Sequence, residues 1–187
     1  IKNLIPKFNS IVIVGAMANN ILKYKGLKIG NSKHEKNIDN IIQEIFLYAE
    51  ENKCKIYFPK DVKVGKKLND VCIEKDFKDV DDDDMILDVG SKTLLEIKTI
   101  IDNSSTLLWN GPLGYFENKN FSFGSSEIAK YIANKGDKIF SVVGGGDTVA
   151  VINSLNMNNK FNFVSTAGGA FLEFLEGKDL PGIKALN

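Results

Sequence analysis

The sequence predicts a three-layer α/β fold with a mainly parallel, doubly wound sheet. Short apolar runs rich in β-branched and aromatic residues alternate with amphipathic helical patterns, as expected for parallel strands covered by helices on both faces. The chain has 187 residues, of which 43% are hydrophobic, and this is enough for one domain with a sizeable core. We therefore expect a single domain over residues 1–187.

Strands are predicted where an apolar run is continuous and ends on a turn residue. The runs are SIVIVG (10–15), CKIYFP (54–59), MILDVG (85–90), TLLWNG (106–111), KIFSVVG (138–144) and FNFVST (161–166). Helical periodicity predicts helices over residues 17–26, 37–52, 92–103, 125–136 and 147–155. Residues 60–84 hold two short strand-like runs, which indicate a small β excursion before the sheet resumes.

Composition argues against several classes of function. The formal net charge is zero and all 24 basic residues are lysines, so the chain lacks a basic block and the arginines that bind phosphates in a bidentate manner. No apolar stretch approaches the roughly 20 residues of a membrane span, and the first residues lack a signal-peptide pattern. Cys54 and Cys72 lack the spacing of a zinc or redox motif. We expect a cytoplasmic monomer without nucleic-acid or membrane partners.

Almost every predicted strand ends on glycine or a polar residue. In a doubly wound sheet, ligands bind outside the carboxyl ends of the strands, near the point where the strand order reverses. The ends concerned are Gly15, Gly90, residues 110–112, residues 144–146 and residues 165–169. This edge of the sheet is therefore the predicted binding site.

The turn GGGDT (144–148) has the composition of a phosphate-binding turn between a strand and a helix. Glycines let backbone N–H groups approach an anion, and the helix N-terminus adds about half a positive charge. The alternative is a tight turn in which Asp147 caps the helix. A similar turn, STAGGAF (165–171), follows the next strand, and the pair favours a phosphate-rich ligand. Neither the P-loop nor the dinucleotide fingerprint is matched.

Asp147 also indicates a metal ion. A carboxylate beside phosphate oxygens would repel them, so Asp147 fits such a turn when a hard cation, with Mg²⁺ as first choice, lies between. Thr148 would then supply a hydroxyl partner. The run Asp81–Asp84 lacks the glycine spacing of a calcium loop and predicts an acidic turn instead.

The stretch WNGPLGYFE (109–117) predicts a rigid polar loop on the ligand side of the sheet. Trp109 by itself is typical of a core aromatic at a strand end. The polar and rigid part of the loop consists of Asn110, Gly111, Pro112 and Gly114, and Glu117 follows within reach of a ribose hydroxyl.

Four stretches together resemble the C-terminal domain of phosphoglycerate kinase, in the same order and at matching intervals. They are MILDVGSKT (85–93), WNGPLGYFE (109–117), VVGGGDTVA (142–150) and STAGGAFLEFLEGKDLPGI (165–183). The resemblance implies a Rossmann-like domain that binds ADP or ATP with Mg²⁺. It also implies a glycolytic phosphotransferase with a carboxyl-group acceptor, which moves a phosphoryl group between 1,3-bisphosphoglycerate and ADP to give 3-phosphoglycerate and ATP.

The resemblance also implies roles for individual residues. Asp147 matches the aspartate that holds the Mg-nucleotide, and Glu117 matches the acid that holds the ribose. Gly168 and Gly169 match the turn that faces the transferred phosphoryl group, where backbone donors stabilise developing charge. The other nucleotide-binding positions are Gly90 at the adenine wall, Asn110, Pro112 and Gly114 on the loop, and Gly145, Gly146 and Thr148 on the phosphate turn.

The sequence departs from the family pattern in two ways. Val14 and Ala16 replace family glycines where the nucleoside packs, and Ala167 replaces the first glycine of the second turn, which limits how closely a ligand can approach that position. The family's N-terminal domain, whose basic residues bind phosphoglycerate, and its GGAK-x-x-DK segment are missing, so we expect nucleotide binding without turnover by this chain alone. The alternatives are a non-catalytic module that binds adenine nucleotide and, disfavoured by motif spacing, a dinucleotide-dependent oxidoreductase.

Overall fold

The predicted alternation of strands and helices is confirmed by a computed structural model, which describes residues 1–185 apart from the side chain of Leu172. The strands are β1 (Ser10–Val12), β2 (Lys55–Tyr57), β3 (Val62–Gly65), β4 (Ile73–Lys75), β5 (Met85–Val89), β6 (Thr106–Asn110), β7 (Phe140–Gly144) and β8 (Phe163–Val164). The helices are α1 (Gly15–Tyr24), α2 (Asp39–Glu51), α3 (Ser91–Asp102), α4 (Phe123–Ala133), α5 (Gly146–Ser154), α6 (Gly169–Leu175) and α7 (Pro181–Lys184).

The parallel strands form two hydrogen-bonded groups. β1 pairs with β2, and β6, β7 and β8 form a three-stranded sheet in that order. A common core joins the two groups, since Val12 and Val14 pack against the cluster that contains Trp109 and Val143. The fold class is the predicted one, an α/β domain with parallel strands.

The β excursion predicted for residues 60–84 is present as β3 and β4, but β5 does not rejoin the parallel strands as expected. β5 pairs antiparallel with β3, with Val62 opposite Val89, and β4 lies on the other side of β3. A two-stranded hairpin alone is marginally stable. The third strand supplies Ile86, which packs against the cluster around Val62 and Val64.

The largest core lies on one face of the β6–β7–β8 sheet. Trp109 and Val143 from the sheet pack there with Ile97 of α3, Ile128 of α4 and Ile152 of α5, all of them buried. On the opposite face, Phe140 and Phe163 are each 53% exposed. The helical layer expected on this second face therefore covers only part of the sheet within residues 1–185. In the same part of the chain, the helices are too short or too polar to cross a membrane.

Candidate functional site

The parallel register brings the predicted glycine turns together at one edge of the sheet. Asn110, the last residue of β6, lies directly opposite Gly144, the last residue of β7. The N–H of Ser165 donates to the Val143 carbonyl at 2.8 Å, which places the turn at 165–169 beside the turn at 144–146. Three strand ends thus form one contiguous surface, as the sequence predicts.

The first glycine turn opens α5 with exposed backbone donors. Gly145 precedes the helix with φ +83°, a conformation that L side chains rarely adopt, and a Cβ there would lie 2.7 Å from Asn110 Oδ1. The helical hydrogen bonds begin with Val149 N–H, which donates to Gly145 O at 3.0 Å. The N–H groups of residues 146–148 therefore have no partner within the helix. Gly146 is exposed and has open space around it, so an anion can approach.

Asp147 does not cap α5. The N-cap position is Gly145, Asp147 is the second residue of the helix, and the cap has no side-chain hydrogen bond. The alternative in which Asp147 serves only as the helix cap is therefore wrong. The exposed carboxylate lies at the positive end of the helix, where a negative charge is stabilised.

The Thr148 hydroxyl has a structural role instead of the predicted role as a partner of the ligand. Its side chain is fully buried, and Thr148 Oγ1 accepts a hydrogen bond from Gly111 N–H at 2.6 Å. A hydroxyl buried in this way anchors the loop that follows β6 and is not presented to a ligand. The backbone N–H of Thr148 remains one of the donors at the start of α5.

The segment 111–122, which we call the β6–α4 loop, is fixed from several sides. Trp109 is buried in the core, and its indole N–H donates to Gly111 O at 2.8 Å. Leu113 N–H donates to the buried Ser125 Oγ at 2.9 Å, and Tyr115 N–H donates to Leu87 O at 2.7 Å. Glu117 lies in the loop with its side chain exposed. The loop is therefore rigid near the sheet and carries a free carboxylate.

The turn after β1 lies next to the β6–α4 loop. A Cβ on Gly15 would lie 3.5 Å from Pro112 O, so the two backbones approach closely at this edge of the domain. Val14 and Ala16 flank Gly15. The structure thus brings Pro112 to the same surface as the first predicted turn.

Gly114 is explained by packing against a residue that the sequence analysis missed. A Cβ on Gly114 would lie 2.6 Å from Asp88 Oδ1 and 2.5 Å from Leu87 O. Asp88 is 2% exposed at the end of β5, and burial raises the pKa of its carboxyl from 3.8 to about 6. An acid inside the apolar run MILDVG was the sequence signal for a buried carboxylate.

Gly90 is explained by a second buried carboxylate, that of Asp61. A Cβ on Gly90 would collide with the Asp61 carboxyl group, which accepts hydrogen bonds from Lys92 N–H and Thr93 N–H, both at 2.8 Å. Asp61 therefore caps the N-terminus of α3, where side-chain acceptors satisfy free N–H groups. The contact that requires glycine at position 90 is with Asp61, whereas its predicted place at the adenine wall stays a prediction.

The second glycine turn leads into α6 with Gly168 and Gly169 in open space. The turn is tied back on itself, because Ala167 N–H donates to Ser165 Oγ at 3.3 Å and Phe171 N–H donates to Gly168 O at 3.3 Å. The Phe171 ring packs on Gly144, where a Cβ would collide with it. This contact, which sequence reasoning missed, couples the second turn to the first.

One group of carboxylates lies close enough together to hold a metal ion among the residues described. Asp81, Asp83 and Asp84 form it, yet Lys75 pairs with Asp81 at 2.8 Å and with Asp84 at 2.6 Å, and Lys66 pairs with Asp83 at 2.8 Å. Two lysines thus balance much of the negative charge of this acidic turn. The turn lies apart from the glycine turns in the fold, at the start of β5.

The family model for phosphoglycerate kinase matches residues 1–178. The chain belongs to the phosphoglycerate kinase family. The phosphoglycerate kinase of Maricaulis maris is 43% identical over 190 residues, covering 100% of this chain and 47% of that protein. The phosphoglycerate kinase of Zymomonas mobilis is 45% identical over 98% of this chain and 47% of that protein.

Solved structures agree with this membership. The structure of phosphoglycerate kinase from Coxiella burnetii matches with a TM-score of 0.91 and 37% identity over 99% of this chain and 47% of that one. The crystal structure of phosphoglycerate kinase from Pyrococcus horikoshii matches with a TM-score of 0.76 and 27% identity. The chain spans about half the length of the relatives it matches, and this half contains the Rossmann-like arrangement described above.

Proposed function

We propose that this chain is the C-terminal, nucleotide-binding half of a phosphoglycerate kinase and that it binds ADP or ATP with Mg²⁺. The observation that carries the proposal is the start of α5, where Gly145 and Gly146 leave backbone N–H groups accessible beside the exposed Asp147. Backbone donors at a helix N-terminus favour phosphate. The whole reaction, phosphoryl transfer between 1,3-bisphosphoglycerate and ADP, would need the other half as well.

The residues present suit a Mg²⁺ ion shared with phosphates. Mg²⁺ is commonly held by one or two carboxylates together with phosphate oxygens and water, and Asp147 offers a single exposed carboxylate next to the turn that would receive the phosphates. When bound, the ion would neutralise phosphate charge. The chain itself would hold the phosphates through the N–H groups of Gly146 and Asp147.

The nucleoside would lie along the β6–α4 loop. Asn110 and Pro112 border the surface between the turns at Gly15 and Gly145, and the Glu117 carboxylate would accept hydrogen bonds from ribose hydroxyls. Gly114 and Gly90 would contribute indirectly to this nucleoside site, by allowing the backbone to pack closely against Asp88 and Asp61. The backbone N–H groups of Gly168 and Gly169 would face the transferred phosphoryl group and stabilise its developing charge.

The partner in this proposal is the other half of the protein, carrying the phosphoglycerate site. It would have to face the edge formed by the turns at 144–148 and 165–169, because the acceptor and the transferred phosphoryl group must be held in line.

Two substitutions separate the nucleoside and phosphate parts of the site. Glu117→Ala should weaken binding of adenosine and of ADP alike, by about tenfold, because both ligands carry the ribose. Gly146→Val should weaken only ADP, because open space and an ordinary φ at Gly146 let the fold accept the side chain while it obstructs phosphate. Isothermal titration calorimetry with both ligands checks the pattern.

The matched control is Glu50→Ala, which removes an exposed acid from α2 and should change neither affinity. If Glu117→Ala left adenosine and ADP binding unchanged, the ribose assignment would be wrong. Absence of adenosine and ADP binding in the unsubstituted chain would overturn the proposed function itself.

A further inference from the structure

Asp88 joins β5 to the start of α4 through its buried carboxylate. Asp88 Oδ2 accepts a hydrogen bond from Gly124 N–H at 2.8 Å, and Asp88 Oδ1 accepts one from Val89 N–H at 2.9 Å. Gly124 is the second residue of α4, so one carboxylate oxygen satisfies a free donor at a helix N-terminus. Such a position stabilises negative charge.

The Asp88 carboxylate lies close to the backbone at both Gly114 and Gly124. Most of the β6–α4 loop lies between these two glycines. A Cβ on Gly114 would lie 2.6 Å from Asp88 Oδ1, and a Cβ on Gly124 would collide with the same oxygen. Glycine at both positions lets the backbone close on the carboxylate from both sides. Tyr115 N–H, which donates to Leu87 O at 2.7 Å, adds a backbone link beside it. Glu117 is carried by the stretch between these two points.

Few charges act on Asp88 within the part of the chain that the structure describes. Lys63 on β3 faces it and lowers its pKa, with the lysine ammonium 4.0 Å from the centroid of the Phe123 ring. Burial raises the pKa of the Cys72 thiol, and Cys72, between β3 and β4, is close enough for the Asp88 charge to raise it further. The two N–H donors also lower the pKa of Asp88, but burial has the larger effect and raises it to about 6. Asp88 therefore changes its charge between pH 5 and pH 7.5.

We propose that ionised Asp88 is a positioning residue, which binds Gly124 N–H at the start of α4, packs closely against Gly114 and so fixes the loop that presents Glu117 to the nucleoside. This inference rests on the nucleotide-binding function proposed above. Protonation would remove the negative charge that strengthens the bond from Gly124 N–H, so the attachment of the loop at the start of α4 would weaken.

The sign of the pH effect follows from this arrangement. Folded Asp88 has its pKa raised above the unfolded value, so its contribution to stability is fully present below pH 3.8 and is lost as the pH rises through about 6. Nucleoside affinity changes in the opposite direction, because the ionised form holds the loop. At neutral pH, Asp88 is therefore ionised. This charge state favours nucleoside binding but lowers the free energy of unfolding.

The test measures adenosine affinity by calorimetry at pH 7.5 and pH 5.0, since adenosine has no phosphate that would titrate in this range. We expect the unsubstituted chain to bind adenosine about fivefold more weakly at pH 5.0. Asp88→Asn should bind about fivefold more weakly at pH 7.5, because an amide can accept only one of the two hydrogen bonds. The affinity of Asp88→Asn for adenosine should not decrease further at pH 5.0.

Asp84→Asn is the matched control, because Asp84 is also a buried carboxylate, 2% exposed. It directly precedes the first residue of β5, whereas Asp88 lies near the last. Asp84→Asn should keep the affinity and the pH dependence of the unsubstituted chain even if it lowers the melting temperature. Equal affinity of Asp88→Asn and the unsubstituted chain, or the same pH dependence in both, would overturn the role of Asp88 and leave nucleotide binding intact. Absence of adenosine binding in the unsubstituted chain would instead refute the proposed function.

Discussion

The chain alone should give no measurable phosphoglycerate kinase turnover, with a rate at least ~10⁴-fold below that of a full-length relative. Phosphoryl transfer needs donor and acceptor held in line with water excluded, and positioning of this kind can account for several orders of magnitude in rate. The proposed site supplies backbone donors and one carboxylate. All 24 basic residues of the chain are lysines, and none of them lies in the turns at 110–117, 144–148 or 165–169, so an anionic acid substrate has no cationic clamp there.

A coupled assay at saturating substrates measures this, first with the chain alone and then with an added N-terminal half from the Zymomonas mobilis relative. Restored turnover would support a divided active site, and the same mixture made with Asp147→Ala should stay inactive. ADP binding without restoration would favour the non-catalytic module. Steady turnover by the chain alone, surviving repurification and lost in Asp147→Ala, would show that the acid substrate also binds here.

The sequence predicted those parts of the fold that depend on local pattern. Strand β6 and helix α5 lie within a few residues of their predicted positions, because apolar runs ending on glycine and a 3.6-residue periodicity are properties of one segment at a time. The adjacency of Asn110 and Gly144 was also predictable. Neighbouring parallel strands bring their carboxyl ends to the same edge.

The parts that were missed depend on contacts between distant segments. Nothing within MILDVG distinguishes a strand of the parallel sheet from β5, whose antiparallel pairing with β3 depends on residues at least twenty positions away. The Thr148 hydroxyl bonded to Gly111 and the Phe171 ring on Gly144 are likewise tertiary contacts. The sequence suggests a ligand as the reason for glycine at positions 90 and 114. In the structure, the buried carboxylates of Asp61 and Asp88 already require glycine there.

Asp147→Ala should weaken MgADP binding by about 100-fold, while metal-free ADP should bind as well as before or somewhat more tightly. In the unsubstituted chain, the Asp147 carboxylate at the start of α5 would ligate Mg²⁺ and repel bare phosphates. Removing the carboxylate therefore has opposite effects on the two ligands. Calorimetry with excess Mg²⁺ and with excess chelator measures both affinities.

Asp137→Ala is the matched control, because Asp137 is an exposed acid in the turn before β7, at the opposite end of that strand from the proposed site. It should preserve the preference for MgADP. Asp147→Asn keeps the size of the side chain but loses its charge, so it should behave like Asp147→Ala if the charge binds the metal ion. A loss of MgADP and metal-free ADP binding by the same factor in Asp147→Ala would mean that the residue only shapes the turn. Equal affinity of the unsubstituted chain for the two ligands would rule out the metal-bridging role, because a bridging cation must favour the metal complex.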